Sequence, residues 1–168
     1  MKKTILSAII FLNAAAFAAY PAVDITLPDK TVIKAELAVT PQEQEMGLQF
    51  RTELAPDRGM LFTGDKERTR IFWMKNTYIP LDMLYIGQNR RVKKVFSDVR
   101  PVSPANPDEE PQIVTAEAKY VLELPAGTAK KHGIREGDSL LFKLPKGVEP
   151  DAADNGGGVK KASAKKKP

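Results

Sequence analysis

In the stretch Ile71 to Ile86, "IFWMKNTYIPLDMLYI", a lysine, an asparagine, a threonine and one aspartate interrupt apolar sequence. Lys75 and Asn76 are hydrogen-bond donors, Trp73 and Tyr78 are flat apolar walls, and Asp82 opens the second apolar run. A few polar groups joined to an aromatic surface make the composition of a small-molecule site. The cluster therefore reads as a shallow site for a small polar, anionic or sugar-like ligand, built from Trp73, Lys75, Asn76, Thr77 and Asp82, with Arg58 as a further member. A carboxylate on the strand face that carries Leu84 and Ile86 is expected to be buried, and a buried charge needs a partner. Lys75, Arg58 or Arg51 could supply it. The same residues also suit a purely structural turn, with Asn76 satisfying the backbone and Asp82 paired to a basic side chain.

Other chemistries have less to work with. The chain has no cysteine, so it has no thiol nucleophile, no disulfide and no site for a lipid anchor on sulfur. Its single histidine, His132, falls at the end of a short helix, where a cap or surface role fits the helix C-terminus. There is no Ser–His–acid order, nucleophile elbow, phosphate loop or paired-histidine zinc motif, and no cofactor is implied. Asp82 with Lys75 is the one acid–base combination an enzyme could use. A lone carboxylate such as Asp82 or Glu123 otherwise lacks an acid/base partner. Met46, Met60, Met74 and Met83, with Trp73, form a soft donor set of the kind that holds Cu(I). Met60, Met74 and Met83 nevertheless sit in strands among apolar neighbours, where methionine fills gaps in a core. Packing is the better account of them.

The elements that must position these residues are mostly strands. "VDITL" and "TVIKAELAV" bracket the turn "PDK", and the alternation of Ile33, Ala35, Leu37 and Val39 with Lys34, Glu36 and Ala38 predicts a half-buried hairpin strand. Thr40, Pro41 and Glu43 predict a capping box with proline at the first helical position, and Gly47 ends or bends that helix. Arg58–Phe62, Arg70–Met74 and Leu81–Ile86 read as strands, the last two apolar on both faces and so central. Further strands are expected in "RVKKVFSDV", within Ile113–Leu124, and in "SLLFKL". "PAGTAKKHGI" reads as a second short helix closed by Gly133. The expected class is mostly β (α+β): a small antiparallel β-barrel or sandwich-like domain with two short helices.

The two ends differ from this core. Residues 1–18 read as a signal peptide: Lys2 and Lys3, an apolar run too short to span a bilayer, then "AFA" before Ala19. Residues 19–145 make one mostly-β domain, and 146–168 a disordered basic tail. Of the formal charge of +5, the two lysines of the signal and a net three charges in the tail account for everything, so the core is neutral. The basic balance is therefore not a nucleic-acid footprint. The tail could touch anionic surfaces weakly, although a charge run is more often simply solvated.

Three blocks, "TPQEQEMGLQFRTELAPDRGMLF", "FWMKNTYIPLDMLYI" and "VLELPAGTAKKHGIREGDSL", resemble in order and spacing the domain of unknown function 192 family. The resemblance runs from Val23 to Leu144, nearly the whole core. It implies a small mostly-β domain, commonly exported in bacteria, and leaves the activity open. Together these readings give a periplasmic or secreted binding or accessory domain of the cell envelope. Its expected partner is a small polar ligand or an envelope component, with no specific nucleic acid and no transmembrane segment. An unrecognised enzyme and a methionine copper protein are the alternatives.

Overall fold

The computed structural model describes residues 20–102 and 109–148; the expected signal peptide and the tail beyond Val148 lie outside the described residues. The chain opens with the hairpin β1 (Ala22–Thr26) and β2 (Val32–Ala38), paired antiparallel across Asp29 and Lys30. Helix α1 (Pro41–Met46) starts as its sequence dictates. The Glu43 N–H donates to Thr40 Oγ1 at 3.2 Å, while Glu43 Oε2 accepts from the Thr40 N–H at 2.8 Å. Both ends of the box thus satisfy amides that a helix start leaves without partners. Gly47 ends the helix at φ 48°, where its N–H donates back to Glu43.

β3 (Arg58–Phe62) follows, then β4 (Arg68–Trp73), β5 (Leu81–Ile86), β6 (Val92–Val99), β7 (Ile113–Ala118), β8 (Tyr120–Pro125) and the one-turn helix α2 (Thr128–Lys131). Six strands form one sheet in the order β1-β2-β3-β8-β5-β6, and β4 with β7 forms a separate two-stranded ribbon. The sheets are not closed into a barrel; the ribbon stacked on the sheet gives the sandwich-like form. Pairing is antiparallel except between β2 and β3, which run parallel. Parallel neighbours need a long crossover, and α1 with the segment that follows it supplies one.

Each face of the large sheet has its own apolar layer. One holds Ala35, Leu37, Leu61, Leu84, Ile86, Leu122 and Leu124 and is covered by Ala129 of α2, Ile134, Leu140 and Phe142. The other holds Met60, Phe62, Leu81, Met83, Tyr85 and Val121 and is covered by the ribbon and by Leu48. Phe72 of the ribbon meets Phe62 and Tyr85 edge-on at 4.8 and 6.0 Å, and Tyr85 donates its hydroxyl to the Val114 carbonyl at 3.0 Å. Strand β5 is buried at every position because both of its faces are covered.

Two sequence expectations are corrected. β4 is not central: Arg70 is buried and Phe72 half-buried, but Ile71 and Trp73 point to solvent. "SLLFKL" makes no full strand. It contributes only isolated bridges, Ser139 to Arg91 and Leu141 to Thr26.

Candidate functional site

The connection from β4 to β5 is a turn whose shape follows from its residues. Asn76 sits at φ 54°, a left-handed conformation that asparagine tolerates better than most residues. The Thr77 N–H donates to the Met74 carbonyl at 3.3 Å, and the Thr77 hydroxyl donates to the Lys75 carbonyl at 3.4 Å. Thr77 is itself buried and so belongs to the frame of the turn. A second segment is stapled alongside. The Phe50 N–H donates to the Asn76 carbonyl at 2.7 Å, and Asn76 Nδ2 donates to Gln49 Oε1 at 3.0 Å.

This arrangement displays aromatic side chains. Phe50 and Tyr78 meet edge-on at 6.2 Å yet remain 55% and 57% exposed, and Trp73 is 45% exposed. Lys75 Nζ lies 5.0 Å from the centroid of the Trp73 ring, a cation–π contact. Among the described residues no carboxylate lies within ion-pairing distance of Lys75. Phe50 holds φ 63°. The left-handed region costs a bulky L-residue roughly 1–2 kcal/mol. The bond from the Phe50 N–H to the Asn76 carbonyl holds the backbone in that conformation, and the ring is presented to solvent.

Asp82 is not part of this surface. Its side chain is 0% exposed and both of its oxygens are occupied by backbone amides. Oδ1 accepts from the Asp98 N–H at 2.9 Å and Oδ2 from the Ala129 N–H at 2.7 Å. The first bond closes the bulge where the β5–β6 register shifts and Asp98 takes φ 52°. The second caps α2 from outside, since the N-cap residue Gly127 has no side chain to do so. The expectation of a cationic partner for Asp82 is therefore corrected to two amide donors, and no ion pair joins it to Lys75. Arg58 is also apart: it is exposed, 3.7 Å from Asp57, on the rim of a groove with Glu36, Arg51, Leu54 and Pro56. His132 is held by Asp29 at 2.7 Å, so it ties α2 to the first hairpin.

Two further charged residues are buried: Glu123, which the sequence marks only as a lone carboxylate, and Arg70, which it does not mark at all. Glu123 lies on β8 directly opposite Met60 of β3 and Met83 of β5. It is 5% exposed, and no hydrogen bond offsets the burial of its carboxylate, although its oxygens are not among the wholly buried, partnerless atoms of the described residues, which are Thr63 Oγ1 and Arg70 Nε. Burial pushes it up to about 8, against the pull of the Arg51 guanidinium. Arg51 is engaged by Glu36 in a two-pronged ion pair at 2.7 and 2.6 Å. Arg70 of β4 is buried as well. Its Nη2 donates to the Thr63 carbonyl at 2.9 Å, Nε has no partner, and burial brings it down to about 10. A side chain at Gly64 would collide with its guanidinium, so glycine is required there. The alternation along β8 puts Glu123 on the same face as Val121. That this face is covered was invisible without the ribbon.

The profile of the domain of unknown function 192 family, DUF192 ("Uncharacterized ACR"), matches residues 23–142. The chain belongs to this family. Two solved structures are similar to this DUF192 domain. One, a provisionally described transcription regulator from Sinorhizobium meliloti, is 36% identical, with a TM-score of 0.65 over 74% of this chain and 95% of its own. The other, a protein of unknown function from Novosphingobium aromaticivorans, is 35% identical, with a TM-score of 0.62 over 71% of this chain and 83% of its own. No curated protein matches.

Chemically, the turn of the DUF192 domain offers stacking surfaces, one ammonium and one amide at an open surface. That set can bind but holds no acid–base pair. Among the described residues no three His, Asp or Glu side chains gather as a hard-metal site, and no helix is long and apolar enough to cross a membrane.

Proposed function

We propose that the chain is an exported binding domain of the cell envelope that uses the 73–78 turn and Phe50 to hold a polar, sugar-like or anionic ligand. The observation that carries this reading is Phe50, in a left-handed conformation with its ring exposed beside Tyr78. Strained backbone persists where the surroundings over-determine it, often at binding surfaces. Aromatic faces stack on the apolar faces of sugar rings, while Lys75 and Asn76 can donate to hydroxyl or anionic oxygens. A nucleic-acid role, which the description of the S. meliloti relative could suggest, gains nothing from the neutral core.

Export is supported by the charged and apolar N-terminal pattern and by the start of β1 at Ala22, just past the expected cleavage point. Mass spectrometry of protein from the periplasmic or culture fraction should find a chain beginning at Ala19. Intact Met1 on that protein would contradict export by cleavage.

The binding test exploits a feature of composition. Trp73 is the single tryptophan, so intrinsic fluorescence reads this surface directly. Titration with soluble peptidoglycan fragments should shift or quench Trp73 emission saturably. Lys75→Ala should weaken that response while circular dichroism stays unchanged. No saturable response to neutral or anionic envelope sugars would reject the reading.

A further inference from the structure

Glu123 poses a problem that the turn surface does not touch. A carboxylate taken out of water without a hydrogen bond is costly unless something neutralises it. Its direct cross-strand neighbours are Met60 on one side and Met83 on the other, both wholly buried. Directly opposite residues on one face of a sheet have Cβ atoms about 5 Å apart, so long side chains from the three strands converge. Met74, just past the end of β4, belongs to the same buried layer. The nearest cation, Arg51, is held by both oxygens of Glu36, the next residue in that cross-strand row.

We propose that Glu123, Met60 and Met83 form a binding site for a soft monovalent cation of the Cu(I) and Ag(I) class. Two thioethers select soft metals, and the carboxylate balances the single positive charge. Packing alone accounts for methionines in a core; it does not account for an unpaired glutamate between two of them. Access would run beneath the segment that carries Arg51 and Leu54, which borders the open groove at Glu36. Releasing the Arg51–Glu36 ion pair would loosen that cover. The site is independent of the aromatic turn and stands or falls separately.

Ag(I), which needs no protection from oxidation, is the first probe, followed by Cu(I) in competition with a chromophoric chelator under anaerobic conditions. The mature chain should bind one equivalent, and its melting temperature should rise with Ag(I), because a ligand specific for the folded state stabilises it. Met60→Leu with Met83→Leu should abolish the rise, as near volume-conserving changes that keep the core filled. Glu123→Gln should weaken binding by roughly tenfold or more, at least the loss seen for groups that only support a metal ligand. Met46→Leu, at an exposed position away from this layer, should change nothing. If the double variant does not fold, methionine methyl NMR of the parent decides: Met60 and Met83 should shift with Ag(I) and Met46 should not. Absence of binding by the parent, retention of it in the double variant, or unmoved Met60 and Met83 resonances would each overturn the proposal.

Discussion

Asp82 and Glu123 lie one residue pair apart on the adjoining strands β5 and β8, and they have opposite situations. Asp82 pairs in register with Leu124, and Glu123 with Met83, so the two carboxylates project from opposite faces of the same sheet. Asp82 accepts from two backbone amides, one in a bulge and one at a helix start. Glu123 stands in register between Met60 and Met83, with no hydrogen bond offsetting its burial. Burial is nearly the same, so burial does not separate a structural carboxylate from one held in reserve. The difference is whether the fold has placed donors where the charge sits. Where it has, the carboxylate organises the chain around it. Where it has not, the group keeps a proton or waits for another cation.

That comparison can be broken experimentally at each end. Asp82→Ala leaves two buried amides without acceptors, each worth about 1–3 kcal/mol, so it should destabilise the protein by roughly 3–5 kcal/mol in urea unfolding. A loss below about 1 kcal/mol would mean that water replaces the carboxylate. At the other extreme, Lys75→Ala should change stability by less than about 0.5 kcal/mol, because an exposed turn residue contributes little to folding. A large loss there would make the aromatic turn a structural feature and weaken its reading as a binding surface.

Much of the fold was legible because local chemistry and tertiary placement agree. The Thr40–Pro41–Glu43 box, the hairpin around Asp29, and the doubly apolar Leu81–Ile86 strand all emerge where the sequence puts them. β4 was not legible in the same way. "IFWM" reads as buried on both faces, yet its partner β7 makes only a ribbon, which leaves Ile71 and Trp73 exposed, with no second apolar layer over them. The parallel β2–β3 pair was hidden for a related reason, since direction depends on how the crossover through α1 returns to the sheet. For the site, residue types identified the turn but not its depth. Lys75, Asn76 and Trp73 stand together at the surface, whereas Asp82, close in sequence, faces the other side of the sheet. Phe50 joins them through a backbone bond across 26 residues of chain, from Phe50 to Asn76, which no short motif reports. Glu123 was hidden because its cover comes from elements distant in sequence.

The most direct test applies the same chemical change, carboxylate to amide, at both positions and follows stability against pH in metal-free protein. Glu123 is raised from an ordinary 4.5 to about 8, so its protonated form stabilises the fold fully below the unfolded value. That contribution is lost as pH rises through about 8. Glu123→Gln cannot ionise. It should match the parent at about pH 5 and exceed it at about pH 9, removing the decline between. Asp82→Asn keeps one acceptor and loses the other, so it should lie below the parent at both pH values by about 1–3 kcal/mol. Opposite signs at high pH are the result this account predicts. Two variants destabilised alike, with parallel pH profiles, would contradict it.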